Sequence, residues 1–256
     1  MPLLAVARSF YAVRLFLRAA LTARFTRKGW RVRLEPYPVV GIRSLPVLSG
    51  ECFTMMEDLN HTLFYLLNAT PASPQWLIHF ATWAAKDLIV VAPLLVVALW
   101  LWGPRRHVGQ QRVMVMKTAL ALIFSVALSW TLGQLFPHDR PFVEGVGYNF
   151  LHHAPDYSYP SDHGTVIFTF ALAFLCWHRL WSGVLMGAVA LLVAWSRVYL
   201  GVHWPLDMLG GLLVGMVACL AAQMCWHHAG AFIAQLALRA YRICFALPIR
   251  KGWVRD

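Results

Sequence analysis

The stretch VMVMKTALALIFSVALSWTLGQLF, at residues 113–136, decides the fold of this chain. Its one charged residue, Lys117, lies near its start, and the stretch exceeds the roughly 20 apolar residues that an α-helix needs to cross a bilayer. Further apolar stretches of this kind lie at residues 76–102, 164–180, 181–200 and 206–226. The sequence therefore predicts an all-α integral membrane protein, a helical bundle of five transmembrane helices.

The composition of the whole chain agrees with a location in a membrane. Of the 256 residues, 59% are hydrophobic and 13% are charged, whereas soluble domains carry roughly 25% charged residues. The same apolar content excludes intrinsic disorder. The five cysteines are an odd number, which favours reduced thiols over a disulfide scaffold.

The basic connections between the spans predict the orientation of the bundle. An excess of arginine occurs in the loop 103–112, the turn 178–180 and the tail 227–256, which are separated by even numbers of spans. The positive-inside rule places these segments in the cytoplasm, and the acidic loop 137–163 then lies outside. The net charge of +11 therefore indicates orientation in a bilayer, so we expect membrane lipids as partners and no nucleic acid.

Residues 1–55 form a basic N-terminal extension that conflicts with this orientation. Five spans with a cytoplasmic tail would place the extension outside, although it holds nine Lys and Arg residues and two acidic ones. Two explanations stay open: a genuine basic arm that supplies an extra membrane helix, or a natural start near Met55 or Met56. We favour the second, so the predicted domains are a non-native extension at 1–55 and a membrane-embedded domain at 56–256.

Three polar clusters fall where the outer loops meet the spans. They are FPHDRP (136–141), PSDH (160–163) and S-R-x5-H-x3-D (196–207). The guanidinium groups of Arg140 and Arg197 match the geometry of phosphate oxygens. Ser161 has the position of an N-cap for a helix that begins near residue 162, and the N-terminus of a helix favours an anion. The clusters therefore predict a phosphate site.

Two histidines of these clusters have the surroundings that phosphoryl transfer requires. Asp207 follows His203 by four residues, so its carboxylate can accept the Nδ1–H and leave Nε2 free as a nucleophile. His163 is the second imidazole, which we expect to protonate the leaving oxygen and then to activate water.

A metal site is the rival interpretation of the same histidines and aspartates. The sequence has no HExxH motif and no closely spaced acidic cluster, whereas phosphatases that use divalent metals need several carboxylates. Because arginine supplies the positive charge, we expect no metal and no cofactor. His152 and His153, in the outer loop, stay open as candidates for the lining of the site.

Arg140-Pro141, PSDH at 160–163 and Ser196-Arg197-x5-His203-x3-Asp207 together resemble the type-2 phosphatidic acid phosphatase superfamily, over roughly residues 56–256. Within it, the chain is similar to the bacterial undecaprenyl-diphosphatases, also called bacitracin-resistance phosphatases. This resemblance implies metal-independent hydrolysis of a lipid diphosphate through a phosphohistidine. By position, it implies that His203 is the nucleophile, that Asp207 orients it and that His163 is the acid and base. It implies that phosphate is bound by Arg140, Ser161 and Arg197.

Two positions depart from the family pattern. Gly133 stands where the family has a lysine seven residues before the arginine, and His138 is a candidate substitute for it. Asp162 stands where the second motif usually has glycine, so it is a possible further member of the site. The family normally has six spans, and five are counted here.

The resemblance implies that the chain recycles the carrier lipid of peptidoglycan synthesis. It would hydrolyse undecaprenyl diphosphate, a polyprenyl diphosphate lipid, at the periplasmic face of a bacterial inner membrane. A phosphatase or phosphotransferase for another lipid, such as phosphatidylglycerol phosphate or lipid A, stays open because the motifs read phosphate and not the tail. The non-enzyme alternative is a transporter of anionic lipids, which would need charged residues along its spans.

Overall fold

The computed structural model describes residues 51–256, with only the backbone for residues 51–53. Most of the predicted extension at 1–55 therefore lies outside the described residues. The described helices are α1 (Glu51–Leu67), α2 (Gln75–Lys86), α3 (Val91–Trp102), α4 (Val108–Leu135), α5 (Asp162–Trp177), α6 (Leu180–Tyr199), α7 (Pro205–Cys244) and α8 (Ala246–Arg250). Short 3-10 turns occur at Leu88–Val90 and Arg105–His107, and the described part of the chain contains no strand.

The helices confirm the predicted all-α membrane bundle. Four helical segments are long and apolar enough to cross a membrane, at Gln75–Trp102, Arg105–Leu135, Leu180–Tyr199 and Pro205–Cys244. The fifth predicted span corresponds to α5, which is apolar but has only 16 residues. α5 packs against α4, α6 and α7 and is buried along most of its length. Because protein surrounds it, its length does not have to match the thickness of the lipid.

Two predicted spans differ from the observed helices. The span predicted at 76–102 is interrupted at Asp87, where α2 gives way to a 3-10 turn. Pro93 lacks the N–H that would bond four residues back, so a regular helix through this point would leave a carbonyl without its partner. The span predicted at 206–226 continues as helix to Cys244, and no proline occurs between the polar pair His227-His228 and Cys244 to interrupt it.

Glycines on α7 let this helix lie close to α5. A Cβ at Gly211 would be 2.7 Å from the backbone nitrogen of Thr165, and one at Gly215 would be 3.2 Å from the backbone nitrogen of Thr169. Small residues at such an interface allow two backbones to approach each other within a membrane. The approach brings the first turns of α5 and α7 together, and the predicted polar clusters lie there.

The loop after α1 joins three segments at this end of the bundle. The side-chain amide of Asn68 donates to the carbonyl oxygens of Tyr148 (3.0 Å) and Tyr199 (3.1 Å), and its oxygen accepts from the Tyr148 N–H at 2.8 Å. α1 ends at Leu67, directly before this asparagine. Its C-terminal end therefore anchors the loop 136–161 to the end of α6.

We call this end of the bundle the site end and the opposite end the basic end. The basic end carries the exposed residues Arg105, Arg106 and Arg179. Arg112, which is buried, donates to the Arg255 carbonyl oxygen at 2.8 Å and lies over the rings of Trp100 and Tyr241, at 5.3 and 4.7 Å from their centroids. These contacts hold the C-terminal segment against α3, α4 and α7.

Candidate active site

The three sequence clusters meet at the site end. Trp204, which is fully buried, connects two of them, because its indole N–H donates to the Asp139 carbonyl oxygen at 2.9 Å. The backbone N–H of Ser161 donates to the Asp207 carbonyl oxygen at 3.3 Å and so connects the second cluster to the third. Residues that are up to about 70 positions apart in sequence thus come together at the site end, in a group whose surroundings we call the pocket.

Arg140 is fixed by its surroundings and is only 4% exposed. Its Nε donates to the side chain of Asp156 at 2.8 Å and to the carbonyl oxygen of the same residue at 3.1 Å. Its Nη1 donates to the Val202 carbonyl oxygen at 2.8 Å, and its Nη2 donates to the Tyr157 carbonyl oxygen at 3.3 Å. A buried guanidinium needs such acceptors, since an uncompensated charge in this environment is strongly unfavourable.

His203 is held in one tautomer by the start of α7. Its Nδ1 lies 3.1 Å from Oδ2 of Asp207, and that oxygen also accepts the backbone N–H of Trp204 at 2.8 Å. Pro205 occupies the first helical position, where no N–H is needed, and places Asp207 in the first turn. Because the carboxylate accepts the Nδ1–H, the lone pair of the imidazole is on Nε2.

Two guanidinium groups surround that lone pair. Nη1 of Arg140 is 3.0 Å from Nε2 of His203, and Nη2 of Arg197 is 3.4 Å from it. Arginine can only donate, so Nε2 is the acceptor in both contacts. Arg197 lies in the last turn of α6 and is 2% exposed, and its Nε has no hydrogen-bond partner among the described residues. The pocket therefore offers guanidinium donors at the atom that would attack a phosphorus.

The electrostatics of the pocket keep His203 neutral. Burial holds the pKa of this imidazole well below its ordinary value of 6.5, and the positive charges of Arg140 and Arg197 lower it further. His153 and His163 contribute in the same direction, so both lie within electrostatic range of His203. A neutral imidazole beside two cations suits nucleophilic attack on an anionic substrate.

The N-terminus of α5 forms another side of the pocket. Ser161 is the N-cap, as predicted, and its hydroxyl accepts the Gly164 N–H at 3.2 Å. His163 follows in the first turn and is half-buried. The side chain of Asp162 is directed toward α4, where it accepts the hydroxyl of Ser129 at 3.2 Å.

His153 is the member of the loop doublet that reaches the site. Its ring centroid is 6.3 Å from that of His203, whereas His152 is exposed and has a positive φ of 47°. Nδ1 of His153 lies 3.1 Å from the Ala154 carbonyl oxygen and 3.5 Å from Oδ1 of Asp156. Burial lowers the pKa of His153, and Arg140 adds to this effect, so the imidazole is neutral at pH 7.

His138 and Gly133 lie apart from this group. Nε2 of His138 is 3.6 Å from the carboxylate of Glu57 on α1, and its ring packs against Trp204. Gly133 is in α4 and lines a cavity of about 440 Å³ whose wall also contains Asp162. A Cβ at Gly133 would lie 3.3 Å from the Tyr159 carbonyl oxygen, which is a tight contact, so a side chain there would require a small shift of that oxygen.

Sequence reasoning missed Ser158. Its hydroxyl donates a hydrogen bond to Oδ2 of Asp207 and lies 3.4 Å from Nδ1 of His203, and the side chain is fully buried. It stands in the outer loop, outside every motif, and its backbone N–H donates to the His138 carbonyl oxygen at 2.7 Å. No sequence signal distinguishes this serine, because only the folded loop brings it to the Asp207 carboxylate.

The arrangement can bind and transfer a phosphoryl group with protein groups alone. It combines buried cations, a helix N-terminus and a neutral imidazole whose second nitrogen is held by a carboxylate. Within residues 51–256, no group of three or more His, Cys, Asp or Glu side chains is arranged to hold a metal ion.

Comparisons with known proteins agree with this chemistry. The profile of the PAP2 superfamily matches residues 112–231. YbjG of Escherichia coli (strain K12), named for undecaprenyl-diphosphatase activity, is 65% identical over 202 residues, which are 79% of this chain and 100% of YbjG. Undecaprenyl-diphosphatase BcrC of Bacillus subtilis (strain 168) is 28% identical over 161 residues, 62% of this chain and 80% of BcrC.

A solved structure shows a similar fold. The crystal structure of Aquifex aeolicus LpxE superposes with a TM-score of 0.50 and 27% sequence identity, and the match covers 64% of this chain and 94% of LpxE.

Proposed function

The chain belongs to the PAP2 superfamily, and on that premise we propose that it hydrolyses undecaprenyl diphosphate to undecaprenyl phosphate and inorganic phosphate. The names of YbjG and BcrC support this substrate. The observation that carries the chemistry is the position of His203, whose Nε2 lies between Arg140 and Arg197 while its Nδ1 faces Asp207. The apolar tail of the substrate stays in the bilayer, and the diphosphate enters the pocket.

In the first step, Nε2 of His203 attacks the terminal phosphorus. The N–P bond forms as the bond from phosphorus to the bridging oxygen breaks, and His163, which the negative charge of the bound diphosphate brings into its protonated form, gives its proton to the departing lipid phosphate. The proton on Nδ1 of His203 stays on that nitrogen and remains hydrogen-bonded to the Asp207 carboxylate, which stabilises the positive charge of the phosphohistidine. The N–H groups that contact Nε2 in the empty pocket turn to the phosphate oxygens, where they neutralise the developing charge.

In the second step, neutral His163 removes a proton from water, and the resulting hydroxide attacks the phosphorus. The N–P bond breaks, inorganic phosphate leaves and His203 returns to its neutral form. Ser161 and the first N–H groups of α5 bind the phosphoryl oxygens through both steps. No metal or cofactor takes part in this proposal.

We place the protein in a bacterial inner membrane with the active site toward the periplasm. The arginine-rich loops of the basic end support this orientation through the positive-inside rule. In a variant without native cysteines, Glu144→Cys at the site end should react with an impermeant maleimide in intact cells. Arg105→Cys at the basic end should react only after lysis, and the reverse pattern would overturn the orientation.

Phosphate release from purified protein tests the proposed reaction. Undecaprenyl diphosphate should be hydrolysed faster than phosphatidate or phosphatidylglycerol phosphate, and EDTA should leave the rate unchanged. His203→Ala should lose at least about ten-thousandfold in kcat, because the nucleophile is removed. The matched control is His228→Ala, an exposed histidine outside the pocket.

Three outcomes would contradict the proposal. Near wild-type phosphate release from His203→Ala would show that His203 is not the nucleophile. Loss of activity in EDTA would show that the reaction needs a metal ion. Faster hydrolysis of phosphatidylglycerol phosphate would transfer the assignment to the other lipid phosphatase that the sequence leaves open.

A further inference from the structure

Two cavities open side by side at the basic end and share three wall residues. One has a volume of about 240 Å³ and the other about 310 Å³, and the shared residues are Gln111, His178 and Arg179. They lie where α4 begins and where the chain turns from α5 to α6. A ligand that fills both cavities must present different chemistry to each.

The smaller cavity offers a cation, a hydrogen-bond donor and a hydrogen-bond acceptor. Arg179 is exposed and takes part in none of the ion pairs found among the described residues. Nε1 of Trp177 and Oε1 of Gln111 are buried and have no hydrogen-bond partner within residues 51–256. A phosphodiester whose alcohol carries hydroxyl groups would satisfy all three, since phosphate accepts hydrogen bonds and the hydroxyl donates one.

The larger cavity is apolar. Apart from the shared residues, it is lined mainly by side chains of α3, α5 and α6, namely Leu95, Leu99, Phe174, Trp181, Leu185 and Met186. Leu95 lies seven residues before the end of α3, which corresponds to roughly 10 Å along the helix axis. The groove therefore runs from the polar cavity toward the interior of the bilayer, as an acyl chain does.

The charge around the cavities selects an anionic headgroup. No Asp or Glu occurs in residues 88–138 or 163–206, which include the whole wall of both cavities. A zwitterionic headgroup would bring a cation to a wall that has no carboxylate to receive it. Basic pockets between helices on the cytoplasmic side are typical binding sites for anionic lipid headgroups.

We propose that this double cavity binds one anionic glycerophospholipid with a hydroxyl-bearing headgroup, such as phosphatidylglycerol. Its phosphate lies at Arg179 and the Trp177 indole, its headgroup hydroxyl donates to Gln111, and one acyl chain fills the groove between α3 and α6. The lipid thereby links the ends of α3, α4 and α6. This site is separate from the pocket at His203 and does not depend on the reaction proposed for it.

Lipid retention by the purified full chain tests the site. After delipidation, the chain is offered phosphatidylglycerol or phosphatidylcholine with the same acyl chains, and bound lipid is counted by native mass spectrometry. One phosphatidylglycerol per chain should be retained, with at least a fivefold preference over phosphatidylcholine. The thermal unfolding midpoint should rise with phosphatidylglycerol and not with free glycerol phosphate, which lacks the acyl chain.

Variants distinguish a specific site from general attraction to a basic surface. Arg179→Gln should weaken phosphatidylglycerol binding about tenfold through loss of a charge-assisted contact, and Arg179→Lys should restore most of it. Arg250→Gln is the matched control, because it removes the same charge from an exposed position outside both cavities.

Equal retention of the two lipids, or an equal effect of Arg250→Gln and Arg179→Gln, would overturn the proposal. Stabilisation by glycerol phosphate alone would do the same, because the apolar groove would then contribute nothing. Each readout is independent of hydrolysis at the site end.

Discussion

The site end and the basic end are both rich in arginine, but their arginines have opposite surroundings. At the site end, Arg140 and Arg197 are almost completely buried, and Arg140 is held by a carboxylate and three backbone carbonyl groups. At the basic end, Arg105 and Arg106 are exposed, and the buried Arg112 contacts two aromatic rings and one carbonyl oxygen.

The difference shows how the same side chain serves two purposes. Carbonyl oxygens at the site end fix the guanidinium of Arg140 while one of its N–H groups still faces Nε2 of His203. In the proposed reaction, this charge is available to an incoming phosphate. At the basic end, the aromatic rings of Trp100 and Tyr241 pack against the guanidinium group of Arg112, and this arginine thereby connects separate segments of the fold.

The largest expected difference between the ends is in catalysis. Arg140→Gln should lower kcat/KM about a thousandfold, because it removes a preorganised charge at the reacting phosphoryl group. Arg106→Gln removes an exposed arginine of the basic end and should leave kcat/KM within twofold. Phosphate release from undecaprenyl diphosphate measures both, and similar losses in the two variants would abolish the contrast between the ends.

Ser158→Ala should lower kcat about tenfold, as expected when one hydrogen bond to a buried carboxylate is lost. The serine acts through Asp207 and so positions His203 without touching the substrate. KM should stay within twofold, and Ser158→Thr should recover part of kcat because it restores the hydroxyl. A loss confined to KM would instead indicate that Ser158 contacts the substrate.

Arg112→Gln tests the structural role of the basic end. It should lower the free energy of unfolding by roughly 2 kcal/mol, because the contacts with Trp100, Tyr241 and the Arg255 carbonyl oxygen are lost. Activity per folded molecule should stay within twofold. Thermal unfolding and phosphate release on the same preparation give both quantities, and a loss of activity without destabilisation would contradict this role.

The smallest expected effect is in the titration of two loop histidines. Burial holds the pKa of both His203 and His178 below 6.5; Arg179 lowers that of His178 further, whereas Arg140 and Arg197 together lower that of the more deeply buried His203. Histidine-selective NMR should therefore show His203 titrating at lower pH than His178. Because neutral imidazole is the reactive form, kcat/KM should decrease as His203 becomes protonated, and the midpoint of this decrease should lie below pH 6.5.

The same depressed pKa affects stability. Between pH 6.5 and the pKa of folded His203, the unfolded chain binds more protons at this residue than the folded chain does. Stability should thus decrease as the pH falls through this range, and the decrease should be smaller in His203→Gln. Equal decreases in the two proteins would show that His203 does not carry the effect.

The sequence was sufficient to predict the spans because the bilayer imposes a length and a polarity on each of them. It was not sufficient at Asp87, where the helix is interrupted. The charged pair Lys86-Asp87 and Pro93 lie at this point, but they do not lower the average hydropathy enough to divide the predicted span. It also placed the end of the last span at the polar pair His227-His228, although backbone hydrogen bonding carries α7 to Cys244. Hydropathy measures transfer into lipid, and helices end for other reasons.

The candidate site divides in a similar way. Side chains with fixed spacing, such as His203 and Asp207, were predicted because Pro205 begins α7 between them and places Asp207 in the first turn, close to His203. Ser158 and the carbonyl groups of Tyr157 and Val202 were not, because long-range folding brings them to the pocket. His153 was left open for the same reason. The roles assigned to the site residues stay predictions that the variants above can test.

The hydrogen bonds that hold Arg140 have an evolutionary consequence. Three of its acceptors are main-chain oxygens, which any amino acid at residues 156, 157 and 202 would supply. Side chains in the outer loop can therefore change during evolution while the main-chain hydrogen bonds that hold Arg140 persist. The contacts that orient the guanidinium are then retained, so the geometry of the proposed reaction tolerates sequence change around it.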